Sequence, residues 1–217
     1  MDTTAVPPPL PTTRPVRLEG RLEPGLSRWL WLVKWLLLIP HFIVLVFLWI
    51  GFVLATIVAF FAILFTERYP QALFEYNLGV LRWSWRVSYY GYNALGTDRY
   101  PPFSLQEEPD YPAQLDVAEP GQLSRGLVLV KWWVLAIPHY IIIVAFTSGF
   151  WEGPGLLAML VLIAGVALLF TTRYPKGLFD FAMGLNRWVI RVVAYAALMT
   201  DVYPPFRLDQ GGSEPLI

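Results

Sequence analysis

The sequence predicts an all-α integral membrane protein built as a tandem duplication, each unit a helical hairpin followed by an amphipathic interfacial helix bearing Arg and Trp. Three observations predict it. Hydrophobic residues make up 56% of the 217 positions and charged residues 15%, against about 25% charged in soluble domains. Trp29 to Phe65 holds one formal charge, Lys34. And five blocks recur in the same order. Val33-Lys34-Trp35 returns as Val130-Lys131-Trp132, and Ile39-Pro40-His41 as Ile137-Pro138-His139. Phe65-Thr66-x-Arg68-Tyr69-Pro70 returns as Phe170-Thr171-x-Arg173-Tyr174-Pro175. Gly79-x-x-Arg82-Trp83-x-x-Arg86 returns as Gly184-x-x-Arg187-Trp188-x-x-Arg191, and Thr97-Asp98-x-Tyr100-Pro101-Pro102-Phe103 as Thr200-Asp201-x-Tyr203-Pro204-Pro205-Phe206.

Taken in order, residues 1–15 read as a disordered Pro-rich tail and not a secretory signal, because no apolar core follows the basic residues. Val16 to Leu22 reads as a short strand, opening a first unit at 16–108; the second unit covers 109–208 and a tail 209–217. Trp29–Phe65 as one straight helix would run to roughly 55 Å, beyond an apolar bilayer core of about 30 Å. A hairpin is therefore expected, with arms Ser27–Leu48 and Phe52–Thr66 and a turn near Trp49-Ile50-Gly51. The second copy supplies the visible turn: Ser148 to Gly155 is a string of helix breakers between arms Ser124–Thr147 and Leu156–Thr171. Pro40 and Pro138 kink the first arms. Two spanning hairpins put all sixteen Lys and Arg on one side or on the arms leading from it, which makes both termini cytoplasmic. A re-entrant wedge entering one leaflet is the rival to spanning.

The third segment of each unit, Leu73–Leu95 and Leu178–Met199, carries a narrow polar stripe. At 100° per residue Glu75, Arg82 and Arg86 share one side, as do Asp180, Arg187 and Arg191. These four guanidinium groups are candidates for gripping lipid phosphates, with ion pairing to Glu75 and Asp180 as the plainer reading. His41 and His139, the only histidines, stand at matched positions that would suit bis-His haem b, against the plainer reading of a kink-associated His bonding a carbonyl. Thr-Asp-x-Tyr-Pro-Pro-Phe terminates each unit with extended backbone.

Sixteen acidic residues balance the sixteen basic ones, which gives nucleic acid no electrostatic hold. The absence of Cys excludes disulfides, thiolate zinc sites, iron–sulfur clusters and a Cys nucleophile. No phosphate loop, His-rich metal cluster, nucleophile elbow or paired-acid motif appears, so no catalytic residue is assigned.

At the repeated blocks the chain resembles a bacterial, largely actinobacterial membrane family, domain of unknown function 4389. The residues that carry the likeness are Leu32 to Trp35, Ile39-Pro40-His41, Arg68-Tyr69-Pro70-x-x-Leu73-Phe74, Gly79-x-x-Arg82-Trp83 and Thr97 to Phe103, with Ile137-Pro138-His139, Arg173-Tyr174-Pro175, Leu178-Phe179-Asp180 and Tyr203 to Phe206 in the second copy. The resemblance implies a bacterial inner-membrane location and two tandem copies, and no activity. The functional reading is non-enzymatic: a lipid-interacting accessory or scaffold subunit, in contact with membrane lipids (anionic ones included) and a larger membrane complex. Alternatives are a membrane-shaping wedge-hairpin protein, or a small transporter or bis-His haem redox subunit.

Overall fold

The structure, a computed structural model, describes residues 15–147 and 155–211. The Pro-rich tail, the Ser148–Gly155 turn and the final tail lie, but for Pro15, Gly155 and residues 209–211, outside the described residues. The described chain is mostly helical and carries one small sheet.

The strand expected at Val16–Leu22 forms as β1, Val16–Gly20. Its partner β2, Ala113–Val117, precedes the second unit as β1 precedes the first. They pair antiparallel, with Leu18 opposite Leu115 and Val16 opposite Val117. Alternation puts Val16, Leu18, Ala113, Leu115 and Val117 into the core and leaves Arg17 and Asp116 exposed. Leu18 and Leu115 are counterparts in the duplication, so the sheet lies on the pseudo-twofold that relates the copies.

A single 3-10 turn, Leu30–Leu32, leads into α1, Lys34–Thr66, one unbroken helix of 33 residues. The hairpin expected in the first copy is therefore corrected: Trp49-Ile50-Gly51 is mid-helix. Nothing but a single glycine interrupts the apolar run, and glycine inside a helix costs only about 1 kcal/mol relative to Ala. Gly51 serves a close approach instead, since a Cβ there would meet the Tyr76 hydroxyl at 2.2 Å. The helix stops at Glu67, whose left-handed φ of 60° turns the chain.

Helix α2, Gln71–Tyr90, runs back along α1. Their antiparallel register is fixed by Asn77 on Thr56 (3.1 Å), Tyr76 on the Leu48 carbonyl (3.0 Å) and Trp49 on Ser84 (3.1 Å). In the second copy α3, Arg125–Val130, passes through a π turn, Lys131–Leu135, into α4, Ile137–Thr147. Then follow α5, Leu156–Thr171, and α6, Lys176–Ala196. Lysine and histidine are seven residues apart in the first copy and eight in the second. The π turn accommodates the extra residue, so that Lys131 and His139 are both still buried.

The elements stack in layers. Helix α2 lies between α1 and β2, and α6 between α5 and β1. The Arg/Trp-bearing helices, expected in the membrane interface, are thus the middle of the molecule, with Trp83, Trp85 and Trp188 all buried. What the structure exposes instead is one face of the apolar helices.

Candidate functional site

Four of the repeated blocks converge on one arrangement, built twice. Lys34, 1% exposed, enters the base of the first unit. Its Nζ donates to the Thr97 carbonyl (2.6 Å), pairs with Asp98 (3.1 Å) and lies 4.4 Å above the Tyr90 ring. The other Asp98 oxygen accepts from the Ser27 N–H at 2.5 Å. One turn on, the Tyr100 hydroxyl donates to the Leu37 carbonyl (3.0 Å), beside the backbone position where Pro40 interrupts the helical ladder. Phe103 then stacks on His41 at 3.9 Å, and Trp83 donates to His41 Nδ1 at 3.0 Å. The Thr-Asp-x-Tyr-Pro-Pro-Phe arm is therefore a clasp that closes on Lys, Pro and His of the first helix.

The second clasp repeats it. Lys131, fully buried, reaches the Thr200 carbonyl (3.0 Å) and Asp201 (2.7 Å), whose other oxygen accepts from Ser124 N–H (2.7 Å). Tyr203 caps the Leu135 carbonyl (3.3 Å), and Phe206 stacks on His139 at 4.2 Å. The sequence reading missed both lysines as site residues, although a lone charge in an apolar run, recurring with a Thr-Asp pair, was the available signal.

His41 and His139 are not brought together. Each is 0% exposed inside the aromatic box of its own copy, with Phe103 or Phe206 covering a ring face. Bis-His haem ligation needs two open imidazole nitrogens facing one iron. In the structure each imidazole sits in the box of its own copy, and His41 Nδ1 is taken by Trp83.

The Arg stripe also faces elsewhere than expected. Arg82 Nε donates to the Leu115 carbonyl of β2 (3.0 Å) and its Nη2 to Asp116 (2.9 Å). Its counterpart Arg187 donates to the Leu18 carbonyl of β1 (2.8 Å) and to the Asp209 carbonyl (2.5 Å). Each strand is therefore gripped by the Arg of the opposite copy. Arg86 holds the Ser104 and Gln106 carbonyls, and Arg191 pairs with Asp209 (2.6 Å). Gly79 and Gly184 let these arms cross, for a Cβ at 79 would meet Leu105 at 2.9 Å. Glu75 is exposed and accepts from Gln71 (2.8 Å), while Asp180 offers its carbonyl to Gly211 N–H (3.3 Å). Lipid phosphate would have to displace these bonds. Arg187→Lys keeps the charge but loses the fork that reaches two carbonyls, and is expected to lower stability by about 1–3 kcal/mol. The thermal midpoint of the detergent-solubilised protein is the measurement.

The Arg-Tyr-Pro corners bridge the copies as well. Tyr174 donates to the Ala94 carbonyl (2.7 Å) and Tyr69 to Ala197 (3.4 Å). Burial pushes the Tyr69 hydroxyl up to about 12, with Asn77 and Thr56 drawing it back.

Opposite these polar contacts runs the apolar face. In α1 the buried positions Leu38, His41, Leu45, Phe52, Ala55, Ala59 and Ile63 trace one side of the helix over its whole length. On the other side Phe47, Ile50 and Leu54 are 69%, 55% and 59% exposed, with Ile43, Val58 and Phe65 continuing the stripe in both directions. Trp133, Ile141, Met159, Ile163 and Phe170 extend it over the second copy. Lys34–Thr66 and Arg125–Val144 are each long and apolar enough to cross a membrane.

Two fused copies, each a long apolar helix clasped to a buried helix under a shared sheet, define a duplicated helical protein with one amphipathic side. The family model described as "Domain of unknown function (DUF4389)" matches residues 28–104 and 133–207, more than half the chain and once per copy. The protein belongs to that family. No curated protein and no solved structure matches it.

Proposed function

We propose that the protein is monotopic: α1, α4 and α5 lie in the plane of one leaflet, and the sheet and clasp arms stand in water. In this reading it is a non-enzymatic, lipid-interacting scaffold that widens the leaflet it occupies. The observation that carries the reading is where charge stands along α1. Trp49, at the centre of α1, bonds Ser84, and Arg82 is two residues from Ser84. The Arg82–Asp116 pair, with Asp116 66% exposed and Glu107 62%, is therefore level with the middle of the long helix. A spanning α1 would carry these groups into hydrocarbon, where a central charge costs at least about 2.5–3.5 kcal/mol. An in-plane α1 leaves them in water and meets lipid along its whole apolar stripe.

Exposed Arg28 precedes α1 and exposed Arg68 follows it, so the two report on its ends. In the Cys-free chain, Arg28→Cys and Arg68→Cys are treated singly with a membrane-impermeant maleimide, on intact and on broken cells. An in-plane helix puts both on one side, with the same labelling pattern; labelling of one from outside and the other only after breakage would establish spanning.

A further inference from the structure

Between the copies the apolar side opens into a groove of about 660 Å³. One wall is α1, with Phe52 and Phe60; the other is Trp132 and Tyr140; Val192 and Ala196 of α6 form its base. Its few polar groups are already engaged. Thr56 donates to the Phe52 carbonyl (2.8 Å) and accepts from Asn77, and Tyr140 donates to the Trp132 carbonyl (2.7 Å). Ordered water needs two to four polar partners, and the groove's lining is overwhelmingly apolar.

We propose that this groove holds one acyl chain of an anionic phospholipid, an inference that rests on the in-plane reading above. Three features select that occupant. The groove is continuous with the exposed apolar face through Val53, Ile57 and Phe61. At roughly 30 Å³ per methylene, similar to the volume share of a water molecule in the liquid, it has room for a chain of ordinary length. And its end carries positive charge. Phe61 is one turn before Phe65, where Arg125 donates to the Phe65 carbonyl (3.3 Å) and pairs with Glu67 (3.0 Å), so the exposed Arg68 beside them leaves that end with one net positive charge. A phosphate headgroup at that end meets guanidinium.

The duplication supplies an internal control. The related space in the other copy is filled by the protein itself. Trp31, where the second copy has Val128, is buried among Leu157, Val161 and Leu168. A Cβ on Gly165, the counterpart of Phe60, would stand 3.2 Å from the indole. Tyr92, in a connection after α2 that is two residues longer than its counterpart, bonds the Trp31 carbonyl at 2.6 Å. One side carries its own apolar filling, and the other is left for a chain from the bilayer.

The test uses the full chain in phosphatidylcholine vesicles containing phosphatidylglycerol with a diazirine on one acyl chain, and crosslinked peptides are mapped by mass spectrometry. The wild type should crosslink on 189–196 of α6 and on the exposed stripe of α1. Ala196→Trp, which fills the groove, should lower the α6 crosslinks at least fivefold and leave those on α1 unchanged. Trp31→Ala should gain crosslinks on α5 around Val161, a gain that does not depend on how well the filled variant folds. Crosslinks on the α1 stripe alone, with no α6 adducts and no gain in Trp31→Ala, overturn the groove and leave the in-plane reading standing. No adducts on any helix overturn both.

Discussion

Lys131→Met should destabilise the protein by about 3–5 kcal/mol, the cost of leaving one partner of a buried ion pair without the other. Lys131 is fully buried, and its Nζ is shared between Asp201 and the Thr200 carbonyl, so methionine strands both acceptors. Asp201 keeps Ser124 N–H but loses its counter-charge. At roughly 2–4 °C per kcal/mol for a chain of this size, the midpoint falls by some 6–20 °C. Adding Asp201→Asn should recover part of the loss, because asparagine can still accept from Ser124 without a stranded charge. Removing the exposed Arg17–Glu19 pair, which has the same 2.7 Å separation, should change the midpoint by less than the equivalent of about 1 kcal/mol. Equal effects from the two pairs would mean that the clasp is not what closes the unit.

The second large effect is on binding. Phe47, Ile50 and Leu54 are more than half exposed and lie on the side of α1 away from α2. Changing all three to Glu removes apolar groups worth about 1.5–3 kcal/mol each on full burial. Retention on phosphatidylglycerol-containing vesicles should therefore drop at least 100-fold, while far-UV circular dichroism stays as in the wild type. A triple variant that still floats with vesicles would sink the proposal that this stripe meets lipid. Triple replacement at the roof, Arg17, Gln114 and Asp116 to Ala, is the matched control and should leave flotation intact.

Much of the architecture was readable in the sequence. The repeat, its five blocks and the strand at Val16 needed only self-comparison and alternation, because each is a local pattern. The hairpin at Trp49-Ile50-Gly51 was misplaced because the breakers of Ser148–Gly155 were carried over to a copy that lacks them. The Arg stripe was legible as a stripe, since a helical wheel fixes direction around an axis. What covers that direction is a tertiary fact: Leu18 and Leu115, which receive Arg187 and Arg82, are separated from them by 169 and 33 residues. β2 stayed hidden because Ala-Gln-Leu-Asp-Val is a five-residue alternation inside a polar, Pro-rich linker, and only its partner gives it meaning. The clasp lysines were visible as the sole charges of their apolar runs, but their acceptors lie 63–70 residues downstream.

The exchange of strands between the copies has a consequence for how the chain is made. Synthesis delivers the first unit to the membrane well before the second, at roughly 5–20 residues per second. Until residue 117 is made β1 has no partner strand, and it waits longer still for Arg187, which is among the last fifth of the chain to emerge from the ribosome. Its edge is an unsatisfied row of N–H and C=O groups, the kind that recruits foreign strands. The nascent first half is thus exposed to mispairing until β2, about halfway along the chain, emerges to pair with it. Arg187, the last of these contacts to be made, then ties β1 to the buried helix of the second copy.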